Sequence, residues 1–343
     1  MTRRPSIADM AQSLKLSPST VSRALAGHPE VSAATRERVR QLAQEVGYQP
    51  NQLAVALRKG HSNTLGVLVP HLAGSFFPEV VDGITEAASE AGYHVLICQS
   101  REDAEQERRN LDLLLHAPVA GVLVSMASST SDYAHFEAVR AAGVPLVFFD
   151  RAVAALTGEY VSSVVLDDYA GAYAATAHLV AEGYRHIACF AGPLHLGIYQ
   201  QRHQGYLQAL RDHGLPLRPE LVFQGEPTLE AGAAHMEQLL QLAPPPDALF
   251  SASDAAAVGA LQLLKEHGCR IPGDVALAGF SNAEYTAFTD PPLTTVDQCT
   301  RHMGREAVQQ LLRMLRPEAS QPALPVVLRP QLLVRASSRR AVA

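Results

Sequence analysis

The chain has 343 residues, of which 47% are hydrophobic, with four cysteines and a formal net charge of −6 at pH 7. That length implies two or three domains with sizeable cores, and it excludes a small disulfide-stapled scaffold. No N-terminal apolar segment and no apolar run of about 18 residues occurs, so neither a secretory leader nor a membrane span is expected.

Cys98, Cys189, Cys269 and Cys299 each lie in or beside an apolar run, and none forms a CxxC pair. They read as reduced, mostly buried thiols of a cytoplasmic protein. The charge is unevenly placed. Residues 1–60 hold nine Lys/Arg against four Asp/Glu, a balance of +5 that leaves −11 for residues 61–343. A basic head on an acidic body is the footprint of a head that meets phosphate.

Ile7, Met10, Ala11 and Leu14 recur at helical spacing and predict a first helix, with Ser6 as N-cap and Asp9 in the favourable first turn. Ser17 or Ser19 can cap a second helix, with Pro18 in its first turn, Val21, Ala24 and Leu25 inward, and Gly27 as its stop. A third helix follows Ser32, with Val39, Leu42, Ala43 and Val46 inward and Gly47 ending it. Three short helices on one small core make a helix-turn-helix domain, whose second helix enters the major groove. Ser17, Pro18, Ser19, Thr20, Ser22 and Arg23 occupy that helix outside its buried face. Small polar residues permit close approach, and Arg23 can pair bidentately with guanine or phosphate.

From residue 62, short apolar β-rich runs alternate with helical stretches. Residues 64–70, 93–98, 121–125 and 145–150 form one set; residues 163–167, 187–192, 221–225, 248–253 and 275–280 form a second. Such runs suit parallel sheets flanked by helices, in two lobes with a cleft between them. Many strands end in polar or small residues, among them Asp150, Asp167-Asp168, Ser253-Asp254 and Ser281-Asn282, where ligands bind in open parallel sheets. No GxSxG elbow, P-loop or HExxH occurs, and His178, His186 and His195 lack metal-ligand spacing. Asp167 and Asp168 would point to opposite faces of a strand, a poor acid/base pair. No enzyme, cofactor or metal is therefore expected.

Residues 6–11 (SIADMA), 17–25 (SPSTVSRAL), 31–39 (VSAATRERV) and 47–51 (GYQPN), followed by Ala54 and Leu57, resemble the lactose/galactose repressor (LacI/GalR) family. The resemblance runs through essentially the whole chain. It implies a helix-turn-helix head over residues 1–49, a hinge helix and linker over 50–61, and an effector-binding and dimerisation body over 62–343. The body is similar to periplasmic sugar-binding proteins, with crossings near residues 160, 292 and 323. Its first lobe would hold about 62–160 and 293–322, and its second about 161–292 and 323–343. Pro18 and Ser19 match positions that vary with the operator, and Thr20 and Arg23 match frequent DNA contacts. Asn51, Ala54 and Leu57 fall in the hinge, with Leu57 matching a leucine wedged into the minor groove. That segment is too short to be helical alone in water.

In the body the resemblance implies effector contacts from Phe76, Phe77, Asp150, Arg202, Ser253, Asp254 and Gln298. Phe76 and Phe77 also suit a helix core, Arg202 a salt bridge near its own helix, and Asp254 a helix N-cap. The family usually has Asp where this chain has Ser281, followed by Asn282, so a neutral group stands in for a carboxylate that would accept sugar hydroxyls. The resemblance also disfavours a purine ligand, because the family's purine-repressor branch has polar or aromatic groups where this chain has Leu196, Ile198, Pro227 and Ser281. The expected function is a homodimeric regulator that binds double-stranded palindromic operator DNA, represses carbohydrate uptake or catabolism genes, and is switched by a sugar or sugar derivative. A regulator of this fold controlled by a partner protein, or a solute-binding module, stand as alternatives.

Overall fold

A computed structural model describes residues 5–48, 62–316 and 324–340. The chain divides into two compact units, residues 1–62 and 63–343.

The first unit contains α1 (Ile7–Leu14), α2 (Pro18–Leu25) and α3 (Ala33–Glu45). Ser6 and Asp9 cap α1 reciprocally, and Lys15 ends it in the left-handed conformation at φ 53°. Ser17 rather than Ser19 caps α2: its Oγ accepts from the Thr20 N–H at 3.1 Å, and Pro18 fills the first helical position. Ser32 caps α3 in the same way. Met10, Ala11, Val21, Ala24, Val31 and Val39 form the shared core. Val46, expected inward, is 40% exposed. The α3 stripe stops because Gly47 turns the chain at φ 65°, and Tyr48 packs against the core in its place.

The second unit carries two parallel sheets. In chain order the elements are β1 (Thr64–Val69), α4 (Phe76–Glu90), β2 (His94–Gln99), α5 (Ala104–His116), β3 (Gly121–Val124), α6 (Ala134–Ala141), β4 (Leu146–Phe149), β5 (Val161–Leu166) and α7 (Asp168–Ala181). They continue with β6 (Ile187–Phe190), α8 (Gly197–Asp212), β7 (Val222–Phe223), α9 (Leu229–Leu240), β8 (Ala248–Ser251), α10 (Asp254–Glu266) and β9 (Ala276–Ala278). Last come β10 (Thr295–Asp297), α11 (Thr300–Met314), β11 (Val326–Leu328) and β12 (Gln331–Leu333). The first sheet has the order β11-β5-β4-β3-β1-β2 and the second β7-β6-β8-β9. Their interior strands are buried on both faces, as the continuous apolar runs require.

Two lobe boundaries differ from those expected. The strand pattern assigns residues 163–167 to the second lobe, yet β5 pairs in parallel with β4, Leu146 opposite Val161, and belongs to the first sheet. No helix separates β4 from β5, so no change of periodicity marks the crossover, and the lobe crossing falls after Leu166 rather than near 160. Likewise β11 pairs with β5, so the last crossing follows Leu328 rather than 323. Beyond it, β12 pairs antiparallel with β10, and the Ser337 hydroxyl donates to the Leu277 carbonyl in the second lobe. Asp167 and Asp168 are not on a strand at all: Asp167 caps α7, and Asp168 is that helix's first residue.

α11 returns to the first lobe and lies against α4 in backbone contact. A Cβ at Gly83 would fall on the Arg301 carbonyl oxygen, and one at Gly304 on that of Val80. Of the four cysteines only Cys189 is buried; Cys98, Cys269 and Cys299 are partly exposed, contrary to the expected burial.

Candidate nucleic-acid interface and effector cleft

α2 turns Val21 and Ala24 into the core, which leaves Ser17, Pro18, Ser19 and Arg23 exposed and Thr20 and Ser22 half-buried. The Ser17 hydroxyl lies 2.8 Å from both the Ser19 and Thr20 hydroxyls, so three hydroxyls cluster at the N-terminus of this helix. The helix dipole and these hydroxyl donors favour a phosphate there. Arg23 sits 3.3 Å from Glu30, with both side chains more than half exposed at 59% and 66%. Such a surface pair is weak and readily exchanged for a stronger anion. Asn51, Ala54 and Leu57 lie outside the described residues.

In the body, a cavity of about 170 Å³ opens between the lobes. Phe76, Phe77 and Asp150 line it from the first lobe, Arg202 and Ser253 from the second, and Ser281 and Gln298 from the crossing segment. Seven of the nine expected effector residues thus meet in one place.

Arg202 organises the cleft. It projects from α8, is 3% exposed, and donates from Nε to Asp168 Oδ1 at 2.7 Å, from one terminal nitrogen to the Ala252 carbonyl at 2.8 Å, and from the other to Gln298 Oε1 at 3.0 Å. Its guanidinium lies 3.9 Å from the Phe280 ring centroid and 5.3 Å from that of Tyr199. Gln298 passes the chain on, donating to Ser281 Oγ at 2.9 Å. Asp168, Arg202, Gln298 and Ser281 therefore form one connected polar network. Its fixed donors suit hydroxyl or carboxylate oxygens.

Asp150 ends β4 in the left-handed region at φ 59° and is buried at the cavity wall. Burial pushes its carboxyl up to about 6, against the opposing pull of Arg151, whose Nε is 3.9 Å away. Phe77 is 3% exposed and meets Phe76 edge-on at 5.0 Å, so these rings serve both core and cavity wall.

Asp254 and Asn282 do not line the cavity. Asp254 opens α10 behind Ser253 but turns its carboxylate away, accepting from the Ala283 N–H at 2.9 Å and the Thr295 hydroxyl at 2.6 Å. It ties the helix to the crossing segment rather than capping it or reaching a ligand. Asn282 is held by Asp297 and Arg335 at 2.8 and 2.9 Å, so of the two residues replacing the expected acid only Ser281 faces the cleft.

Three contributors were not legible in the sequence: Asp168 as the Arg202 counter-ion, the aromatic bed of Tyr199 and Phe280, and Arg151, which pairs with Glu102 at 2.8 Å. His195, in the loop after β6, places its Nε2 3.0 Å from the carbonyl oxygen of Ser128, in the loop after β3, so the two lobes meet there. Among the described residues no group of three His, Cys, Asp or Glu side chains could hold a metal, and no helix is long and apolar enough to cross a membrane.

Comparison with known proteins agrees with this geometry. Residues 6–51 match the family described as bacterial regulatory proteins, lacI family, and residues 62–326 match periplasmic binding proteins and sugar binding domain of LacI family. The chain is 38% identical to the HTH-type transcriptional repressor CytR of Escherichia coli (strain K12) over 304 residues, 89% of this chain and 88% of that one. It is 35% identical to the HTH-type transcriptional regulator CelR of Thermobifida fusca over 340 residues, 98% of each. Among solved structures it is similar to the lac repressor dimer bound to operator and the anti-inducer ONPF, with a TM-score of 0.86, 28% identity and coverage of 98% of this chain and 100% of that one. A CelR–cellobiose complex matches at TM-score 0.74 and 33% identity, covering 97% and 100%. These relatives are regulators of transcription and not enzymes, and the chain belongs to the LacI family of bacterial regulatory proteins.

Proposed function

We propose that this protein is a homodimeric repressor of carbohydrate uptake or catabolism genes. It binds a palindromic operator through α2 of each head, and a sugar or sugar derivative in the inter-lobe cleft switches it. The observation that carries the reading is Arg202, buried and oriented by Asp168, Gln298 and the Ala252 carbonyl in a cleft lined from both lobes. A ligand that bridges Asp150 on one lobe and Arg202 on the other favours one lobe angle over another, and only such differential affinity can shift a switch. A relative named as a transcriptional repressor, and the cellobiose complex of another named as a transcriptional regulator, support the same reading. At the head, Ser19, Thr20 and Arg23 read bases or phosphates, Ser17 and Ser22 flank them, and Pro18 adds only shape; Asn51, Ala54 and Leu57 complete the DNA contact in the hinge.

The test is selection of bound DNA from a random pool with the full-length protein, followed by competition with a panel of sugars and sugar acids. A palindromic consensus whose occupancy one compound changes supports the proposal. Salt-sensitive binding without a consensus would mean that the head meets only phosphate, and would refute sequence-specific regulation.

A further inference from the structure

Beside the polar cleft lies a second cavity of about 600 Å³. Its walls are mostly apolar: Met126, Val153, Leu156, Val161 and Leu196 are buried side chains that face it, and Val165 and Ala154 line it further out. The two cavities share three residues, Asp150, Arg151 and Ile198. Two polar groups face each other at that junction without a hydrogen bond between them. The Arg151 Nε is buried without a partner among the described residues, although a terminal nitrogen of the same guanidinium is held by Glu102 at 2.8 and 3.0 Å. The Asp150 carboxylate lies 3.9 Å from that Nε, beyond hydrogen-bond length. A donor and an acceptor thus flank the passage from the polar space to the apolar one.

A single sugar ring satisfies the polar space of about 170 Å³ and leaves the larger, drier space untouched. Ligand cavities run to several hundred Å³ and are mainly apolar with a few placed polar groups, which fits the larger space, and the polar space adjoins it through Asp150 and Arg151. Resting on the sugar-effector reading above, we infer that the two cavities form one bipartite site for a glycoside with an apolar, flat aglycone. The sugar hydroxyls meet Arg202, Gln298 and Ser281. The linking oxygen and a neighbouring hydroxyl meet Arg151 Nε and Asp150. The aglycone lies among Val153, Leu156, Val161 and Val165.

The experiment is calorimetric titration of the full-length protein with methyl and phenyl glycosides of glucose, galactose, xylose and ribose, repeated on Ala154→Trp, Val165→Phe and Arg202→Met. For the sugar that binds, the phenyl glycoside is expected to bind at least about tenfold more tightly than the methyl one, from the apolar area that it buries. Either filling variant removes that preference; methyl-glycoside affinity retained by Ala154→Trp reports a folded protein, and Arg202→Met weakens both ligands. Equal affinity for the two glycosides would overturn the bipartite site while leaving the sugar reading standing. A phenyl preference that survives both filling variants would overturn it too, because the ring would lie elsewhere. Binding of no glycoside at all would bring down the sugar-effector reading and this inference with it.

Discussion

Replacing Arg202 by Met leaves Asp168 as a buried carboxylate without its counter-ion. The two side chains are 4% and 6% exposed and meet at 2.7 Å, so water does little to screen them. With charge centres about 4 Å apart and an effective dielectric of about 20, the lost attraction is about 4 kcal/mol. Breaking one partner of a buried pair costs about 3–5 kcal/mol, which agrees. For a body of this size that corresponds to a melting temperature lower by roughly 10 °C. The chain has no tryptophan, so circular dichroism with urea is the suitable probe. The pH dependence discriminates further. Burial raises the Asp168 carboxyl even with Arg202 opposing it; without Arg202 it rises further. A carboxyl whose folded pKa lies above its unfolded value destabilises in its ionised form, so the deficit is larger at about pH 8 and shrinks toward about pH 5. Arg202→Met with Asp168→Asn restores most of the loss at the higher pH. An Arg202→Met protein within about 1 kcal/mol of the parent, with no pH dependence in the difference, would refute the claim that this pair is buried and coupled.

Ser17→Ala removes the α2 cap and is expected to cost about 1 kcal/mol, read as faster amide exchange in α2 and weaker DNA binding with unchanged effector affinity. Gly304→Ala places a methyl on the Val80 carbonyl and forces α11 away from α4; a loss of about 1–3 kcal/mol in urea denaturation is expected. Asp150 and Asp254 are each pushed by burial from the ordinary 3.8 to about 6. Their ionised forms therefore oppose folding above about pH 6, and this opposition is relieved as pH falls from about 7 to 4, by up to about 3 kcal/mol each. Asp150→Asn should remove its share of that rise, and stability curves of parent and variant that run parallel over this range would contradict it.

Much of the architecture is legible because it is local. Ser6, Ser32 and Gly47 punctuate the head through backbone chemistry that acts within a few residues. Asp150 and Arg202 stand where the strand-end rule and the family resemblance point, and the structure brings both to one cavity. What was illegible depends on register between distant elements. Nothing near Asp168 indicates that α7 lies against α8 so as to meet a guanidinium 34 positions on. Asp254 sits in the right sequence context for a ligand contact, but its rotamer answers to Thr295 and Ala283, 41 and 29 residues away. The placement of β5 fails for a related reason: strand pairing is fixed by the partner, and the link from β4 gives no periodic signal.

The crossings also constrain how the protein is made. The first sheet is closed at one edge by β11, and α4 is covered by α11, both from near the end of the chain. A ribosome releases the head first, then most of the first lobe, then nearly all of the second, before residues 300–328 emerge. Until then Val80 and Ile84 lack Met303, Ala307 and Leu311, and β5 presents an open edge. The second lobe, almost continuous in sequence, is positioned to fold during synthesis, whereas the first must wait with apolar surface bare. A nascent chain stalled before residue 300 is therefore the species most in need of a chaperone, although its DNA-reading head is already complete.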